Sequence, residues 1–411
     1  MRSLDFSLLP MPLRVGVTLL AAACGSGDSP GPEGAVRRDS SGIEIVENLR
    51  PLWDDAAHWH AGETPLLVLG EESAGHPPLE SVAGVALLQD GGMVVVDGGN
   101  SRIHFFREDG TLARTVGRPG DGPGEYRVIE GLEVVGDSAL VVWDFGLARL
   151  TYLSLEGELR ATAPLDPVVP ALGLVGVLPT EEVVLAQFWS PQEMQSLDQP
   201  GLMRTTAAVL RVAPGGQVLD TVAIVSGREF MLTPEDGRMV MGTPPFGRAG
   251  SRALRSDELI EGDQETFSLS VISMDGTVRA VYRLPGVDLT LTAAEVEAWK
   301  ESQIALAPPG REANVRGFLE EAEIPPTRPA YDALLVDPRG WIWAEDYSWD
   351  DSEATTWTVL DGVGRWLGRI PMPQGFRPVE ILEDRVVGIH TDPMGVQRVW
   401  VLALGERPPP A

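Results

Sequence analysis

Met93-Val-Val-Val-Asp-Gly-Gly-Asn-Ser-Arg-Ile-His-Phe-Phe-Arg-Glu-Asp-Gly-Thr-Leu-Ala-Arg-Thr-Val116 is the stretch that decides the fold. Its three runs are rich in β-branched and aromatic residues. They are parted by Gly98-Gly99-Asn100 and Asp109-Gly110, the residue types that tight reversals of the chain demand. Upstream, Val82-Ala-Gly-Val-Ala-Leu-Leu88 adds another run before the Asp90-Gly91-Gly92 turn. Residues 82–117 therefore read as a meander of four short antiparallel strands.

The next stretch repeats that grammar, and a repeat of this length signals an architecture built from copies. Gly131-Leu-Glu-Val-Val135, Ala139-Leu-Val-Val-Trp-Asp144, Arg149-Leu-Thr-Tyr-Leu153 and Glu158-Leu-Arg-Ala-Thr162 follow in order. The pair Asp97/Arg102 returns as Asp144/Arg149 at the same spacing. Such pairs are expected to form Asp–Arg forks that fix a strand turn inside each unit.

Later copies are degenerate. Gly173 to Ser226 carries Glu182-Val-Val-Leu-Ala186, Ala208-Val-Leu-Arg-Val212 and a Pro214-Gly215-Gly216 turn. Phe230 to Leu284 carries Arg238-Met-Val-Met241, Phe267-Ser-Leu-Ser-Val-Ile272 and an Asp275-Gly276 turn. Tyr331 to Ile370 carries Trp341-Ile-Trp-Ala344, Thr356-Trp-Thr-Val-Leu360 and an Asp361-Gly362 turn. The last stretch supplies three strands, starting at Val379, Arg385 and Arg398, and so is one short of a unit. Leu66-Leu-Val-Leu69 can provide the fourth, which ties the chain ends together and leaves no open sheet edge within the ring. The expected fold is an all-β, six-bladed β-propeller.

Val94 to Gly110, with its valine-rich strand followed by Asp, Asn, Arg-Ile, an aromatic and Asp-Gly, resembles the NHL repeat. Gly117-Arg-Pro-Gly-Asp-Gly-Pro-Gly-Glu-Tyr126 is similar to the connection found in bacterial six-bladed, TolB-like propeller lipoproteins. The resemblance covers residues 82–165 and 331–404 and is looser between them. It implies the propeller fold and an envelope address, and it names no activity.

Two insertions are expected. Thr292-Ala-Ala-Glu295 is a capping box, so a helix should run on to about Ala305. Pro308-Pro309-Gly310 stops it, and Arg311 to Glu323 reads as a second helix. This helical hairpin, within residues 287–328, falls between blades four and five, either as a decorative cap or as a cover over the channel mouth. Residues 248–265 read as a second, polar insertion.

Composition supports a turn-rich fold: 411 residues include 46 Gly and 34 Pro. Sixty Asp and Glu against 32 Lys and Arg give a formal charge of −28. That field repels a phosphate backbone and makes nucleic acid a poor partner. It suits a soluble exported protein, and it would also attract cations or basic ligands.

The N-terminus supplies an address. Arg14 precedes the apolar run Val15-Gly-Val-Thr-Leu-Leu-Ala-Ala-Ala23, which is too short to span a bilayer but has the length of a signal-peptide core. Cys24, the only cysteine, follows directly and resembles the lipidated cysteine of a bacterial lipobox, with Leu20 one place earlier than the usual leucine. An ordinary secretory signal cut after Ala23, leaving a free thiol, is the alternative. Gly25 to Gly34 reads as a flexible tether, and Gly25 after the cysteine resembles lipoproteins sorted to the outer membrane. Translation can start at Met1 or Met11. The expected plan is a leader over 1–24, a tether and N-terminal segment over 25–60, the propeller over 61–405, and a Pro-rich tail over 406–411. Membrane attachment is expected through the lipid alone, and the chain is expected to be a monomer.

Propellers commonly work where the leading residues of their innermost strands converge on the channel. That places Glu80, Glu130, Asp332 and Glu380 near one mouth, where carboxylates from different blades could hold Ca²⁺, as lactonase-like propellers do. The histidines His58, His60, His76, His104 and His390 show no ligand spacing beyond the His58/His60 pair. No nucleophile elbow or phosphate-binding glycine loop can be located. Trp341, Trp343, Trp349, Trp357 and Trp366 gather in blade five, as packing between blades or as a rim for sugars or peptides. The leading expectation is a non-enzymatic scaffold at the cell envelope that binds a protein, peptide or small molecule. The alternative is a metal-assisted hydrolase or lyase of the lactonase or amidating-lyase kind.

Overall fold

The computed structural model of the chain describes residues 34–53, 59–195, 199–235, 238–350 and 354–406. The leader, Cys24, the tether before Gly34, His58 and the tail after 406 lie outside them. Four short strands come first: β1 (Ala35–Ser40), β2 (Ile43–Asn48), β3 (Trp59–Ala61) and β4 (Leu67–Leu69). Blade one is β5 (Val82–Leu87), β6 (Met93–Asp97), β7 (Arg102–Phe106) and β8 (Leu112–Val116). Blade two is β9 (Ile129–Val135), β10 (Ala139–Asp144), β11 (Arg149–Ser154) and β12 (Leu159–Pro164). Blade three holds β13 (Leu172–Val177), β14 (Val183–Gln187), a short α1 (Pro191–Gln195), β15 (Gly201–Val212), β16 (Val218–Glu235) and β17 (Arg238–Gly242).

Blade four is β18 (Ser251–Arg255), β19 (Glu258–Gly262), β20 (Ser268–Ser273) and β21 (Val278–Arg283). The helices α2 (Ala293–Ala305) and α3 (Glu312–Glu321) follow, and the Thr292 capping box forms in both directions with Glu295. Blade five is β22 (Tyr331–Val336), β23 (Ile342–Asp346), β24 (Thr356–Leu360) and β25 (Trp366–Pro371). Blade six is β26 (Phe376–Ile381), β27 (Arg385–Thr391) and β28 (Gln397–Glu406), completed by β4 and β3. The innermost strands touch in a closed ring, β5 to β9, β13, β18, β22, β26 and back to β5. The protein is a six-bladed β-propeller.

The reason lies in the second strand of each blade, which is apolar on both faces. In β6, Val94 and Val96 pack towards blade two, while Met93 and Val95 pack towards blade six. In β10, Leu140 and Val142 face blade one, while Val141 and Trp143 face blade three. Period-two alternation thus feeds two interfaces, so these strands read as continuous apolar runs. Six hydrophobic clusters result, one at each junction of neighbouring blades. Each buried Val or Leu is worth roughly 1.5–3 kcal/mol before entropy is counted.

The N-terminal segment is not only a tether. β2 runs parallel to β21 on the outside of blade four, with β1 beyond it. The chain then lies along blade five, where the Leu52 and Trp53 N–H groups donate to Trp366 and Leu367 carbonyls at 3.0 and 2.7 Å. β4 and β3 next pair with β28, and Leu69 is fully buried against blades six and one. Leu66 to Leu69 therefore closes the ring, and β3 adds to that closure. The same segment girdles three successive blades.

Three sequence expectations are corrected by the structure. Residues 248–265 are not a polar insertion, because β18 and β19 are the two inner strands of blade four. Arg252 and Arg255 on the innermost strand, with Asp257 at the turn, interrupt the apolar pattern that would have marked it. Arg238 to Met241 belongs to blade three instead, where β17 pairs with the far end of β16. The N-terminal segment, set apart from the propeller up to residue 60, in fact contributes β1, β2 and β3 to its blades.

Candidate functional site

The leading ends of the innermost strands define an upper face, and their trailing ends a lower face. A cavity of about 560 Å³ opens among the trailing ends of β5, β9, β18, β22 and β26. A second, of about 430 Å³, lies beside it against β9, β13, β18 and β22. Both share Glu133, Val134, Gly136, Leu254, Ser256 and Val336 in their walls. All six blades thus wall one two-lobed chamber in the lower half of the channel. Gln89, Asp137 and Pro338, in the turns after the innermost strands, form its rim.

Inter-blade ties set its limits. Above the chamber, the Glu130 carboxylate accepts the Leu174 N–H of blade three at 2.8 Å. Ser251 Oγ and Gln264 Nε2 both donate to the Asp332 carbonyl, joining blades four and five. The Arg252 guanidinium donates to the Ser226 carbonyl of blade three at 2.6 Å. Lower down, Glu380 accepts the Leu87 N–H of blade one at 3.0 Å. Burial raises the Glu130 carboxyl, and the Leu174 bond only partly offsets that.

The four carboxylates expected at one mouth are therefore not brought together. Glu80 lies exposed ahead of β5, with its backbone held by Asp97 and Gly99. Glu130 and Asp332 sit at the second position of their strands, whereas Glu380 is one residue from the end of β26. Depth along the channel separates them, which strand alignment by sequence alone could not resolve. Among the described residues no group of three His, Cys, Asp or Glu side chains could hold a metal ion.

Glu380 instead finds a companion that the sequence reading passed over. Glu133, in the middle of β9, lines both lobes and has no hydrogen-bond or ion-pair partner among the described residues. Blades two and six flank blade one, and the Glu380 charge reaches Glu133 across its innermost strand. The Glu133 side chain is exposed to channel water, although the channel walls surround it closely enough to weaken its solvation. Burial, and then the Glu380 charge, push its carboxyl up to about 7. Burial also pushes Glu380 up to about 7, against the lowering effect of its bond from Leu87. The available signal was a charged residue inside an innermost apolar strand, Leu132-Glu133-Val134, matching Val379-Glu380-Ile381. A glutamate is tolerated there only on the channel-facing side.

The Asp–Arg pairs are structural, but they are not forks. Asp97 and Arg102 are cross-strand neighbours, yet Asp97 accepts the Glu80 N–H at 3.0 Å and the Asn100 amide at 2.9 Å. Asp144 likewise accepts the N–H groups of Arg127, Val128 and Leu147. Arg149 turns away to the carbonyls of Asp121, Gly122 and Glu125, locking the glycine-rich connection. Each aspartate satisfies orphan N–H groups at the entry to its blade, which is a stronger claim on a buried carboxylate than one cross-strand arginine.

Trp343 and Trp357 are buried between blades five and six, while Trp341 packs against Trp53 and Trp59 with ring centroids 6.1 and 5.5 Å away. His60 lies 3.1 Å from the Gly405 carbonyl, His104 beside Asp97, and His390 stacks on Trp400. They form no common site. Among the described residues no helix is long and apolar enough to cross a membrane.

Comparison with known proteins agrees on architecture. Residues 78–205 match the sequence family DUF5128, described as a 6-bladed beta-propeller, a span that covers blades one and two and part of blade three. No curated protein matches the chain. A DUF4221-family member from Bacteroides vulgatus is similar in structure at 12% identity and a TM-score of 0.50, over 86% of this chain and 99% of that one. A Bacteroides fragilis protein provisionally described as exported aligns at 10% identity and a TM-score of 0.49, over 89% of this chain and 100% of that one. Virginiamycin B lyase from Staphylococcus aureus aligns at 9% identity and a TM-score of 0.44, over 85% of this chain and 100% of that one. Likeness at this level of identity speaks to fold only.

Proposed function

We propose that this protein is an exported, lipid-anchored binding propeller, whose channel chamber holds a small ligand or a side chain of a partner. The observation that carries the reading is the chamber itself: all six blades wall it, apolar and polar surface share its lining, and Glu133 and Glu380 lie in that lining without a countercharge. Preformed apolar concavities with a few converging polar groups are where ligands bind. Export and anchoring rest on the leader and on Cys24, with Gly25 favouring the outer membrane. The NHL-like and TolB-like features of blades one and two agree with that address. The protein acts as a monomer, held to the membrane by its lipid.

Leu254 lies in the wall of both lobes, and Leu254→Trp would fill the space between them. Ligands that raise the melting temperature of the natural protein should lose that effect in Leu254→Trp; ligands that stabilise both forms equally would overturn the chamber as the site. Replacement of Cys24 by Ser should move the protein out of the membrane fraction, and unchanged fractionation would overturn the anchor.

A second reading, a metal-assisted hydrolase or lyase, draws on one observation: carboxyls that titrate near neutrality suit acid–base work. Stabilisation by Ca²⁺ or Zn²⁺ that EDTA reverses would favour it.

A further inference from the structure

We propose that the chamber recognises an organic monocation, a primary ammonium on an apolar stem, with its charge between Glu133 and Glu380 and its stem along Leu254 and Val336. This rests on the chamber being a ligand site and names the class of ligand it takes. The other charged groups at the wall are already engaged. Asp337 accepts the N–H groups of Arg339 and Trp341 at 2.9 Å each and lies buried under its own turn. Asp137 accepts the Gln89 amide at 2.7 Å. Arg255 is committed to Glu258 at 2.7 Å and to the Gly362 carbonyl at 2.9 Å, and Arg252 to Ser226. Neither arginine acts on the channel carboxylates: Arg255 pairs with Glu258, and Arg252, whose Nε has no hydrogen-bond partner among the described residues, feels the Glu261 charge instead. Glu380 has one bond, from a neutral N–H, and Glu133 has none among the described residues.

Two carboxylates that share a water-reached channel without a countercharge cost more to ionise together than singly. A bound cation removes that cost. Ca²⁺ asks for six to eight oxygens, and two carboxylates with aliphatic neighbours do not supply them. An alkylammonium needs two or three acceptors for its N–H groups and an apolar surface for its stem, which matches this wall. The net charge of −28 draws such ligands in.

Proton linkage follows. Near pH 7 the pair retains about one proton, because burial holds both carboxyls up to about 7 and the Glu380 charge adds to the rise at Glu133. A monocation stabilises the doubly ionised pair, so its binding releases that proton to solvent and tightens as pH rises from 6 to 8. The other titratable or charged groups facing the pair are Asp137, Asp337, Arg252 and Arg255, each engaged as described.

The test is calorimetric titration of the full chain in detergent with n-butylammonium, 1-butanol and CaCl₂. Titrations run at pH 6 and pH 8, in two buffers of different ionisation heat. n-Butylammonium should bind at least fivefold more tightly at pH 8, with a heat that depends on the buffer. Glu133→Gln and Glu380→Gln, checked for native circular dichroism, should each weaken it tenfold or more, and 1-butanol should not compete. Undiminished n-butylammonium binding in the Glu133→Gln/Glu380→Gln variant, or no binding of it at pH 8, would overturn the proposal. Binding of 1-butanol that Leu254→Trp abolishes, without binding of the amine, would overturn the cation and leave the chamber standing as a ligand site. Tight Ca²⁺ binding lost in both glutamine variants would overturn it in favour of a metal.

Discussion

Blades four to six and blades one to three meet the solvent differently. The first group is girdled, since β2 lies on β21, residues 51–53 run along β25, and β3 with β4 cover β28. The outer strands of blades one and two have no such cover, and β8 and β12 end their sheets. Their sequences differ accordingly. Under the girdle, β21 buries Ala280 and Tyr282, and β25 buries Leu367 and Ile370. On the bare side, Leu-Ala-Arg-Thr-Val and Leu-Arg-Ala-Thr-Ala-Pro are largely exposed and set Arg114 and Arg160 on the edge. An unpaired edge invites another strand, and charge is the usual defence; a covered edge needs none. The N-terminal segment is thus both a structural clasp and a shield: the strands beneath it bury more apolar side chains, although they keep arginines of their own, Arg279 and Arg283 in β21 and Arg369 in β25.

The girdle should therefore carry stability, and its loss gives the largest expected effect. Leu69→Ala removes a fully buried side chain from the junction of blades six and one, where the chain ends meet. Chemical denaturation should show a loss of about 3 kcal/mol, the usual cost of such a cavity. Leu66, 65% exposed on the same strap, is the control, and Leu66→Ala should stay within about 0.5 kcal/mol. Equal effects at the two positions would mean that the strap is not held as described.

Asn48 is the next strongest point. It is 3% exposed and joins two blades: its amide donates to the Gly364 carbonyl at 2.9 Å and the Arg283 carbonyl at 3.3 Å, and its oxygen accepts the Trp366 N–H at 2.8 Å. Gly364 has φ +78°, and a Cβ there would lie 2.1 Å from the Tyr282 ring, so this corner requires glycine. Asn48→Ala leaves three backbone groups unpaired and should cost about 2–3 kcal/mol. Amide exchange should then quicken along β25 before it does along β8, because the girdled side alone is loosened.

Most of the architecture was legible in the sequence because a propeller writes its grammar four times per blade. Blades one and two carry apolar second strands and glycine turns, and both fold as read. Blade four was misplaced because Arg252, Arg255 and Glu258 stand where an apolar strand was sought, and innermost strands admit charge wherever a side chain faces channel water. The girdle was largely missed for a related reason. Trp53, Trp59 and Ile45 lie in a segment without repeats, and only tertiary packing against blades four to six gives them a role. The site was half legible: Glu380 was singled out, but its companion Glu133 was not, since no sequence rule ties positions in blades two and six.

That pair lies at the seam between the two halves, Glu380 on the girdled side and Glu133 on the bare side. Both carboxyls are held at about 7 in the fold, above their usual range, so the native state binds more protons than the unfolded chain between roughly pH 4.5 and 7. Stability from this source is complete below pH 4.5 and is lost as pH rises through 7. The Glu133→Gln/Glu380→Gln variant should flatten that fall. Its melting temperature should match the natural protein at pH 4.5 and exceed it at pH 8. The gain should be about 1–2 kcal/mol once screening by channel water is allowed for. A gain that did not depend on pH would show that neither carboxyl is raised.

The smallest effect on folding concerns the bare edges. Arg114 donates to the Glu156 carbonyl at 3.0 Å, and Arg160 is exposed, so neither supports the interior. The Arg114→Val/Arg160→Val variant should change stability by no more than about 0.5 kcal/mol. Solution behaviour should change much more, because two uncovered outer strands would then present apolar side chains beside free backbone donors and acceptors. Analytical ultracentrifugation should show concentration-dependent association in the variant. The same substitution under the girdle, Arg283→Val at the end of β21, should leave sedimentation unchanged, because β2 already occupies that edge. Association of both variants, or of neither, would show that exposure of an outer strand does not govern which edges need arginine.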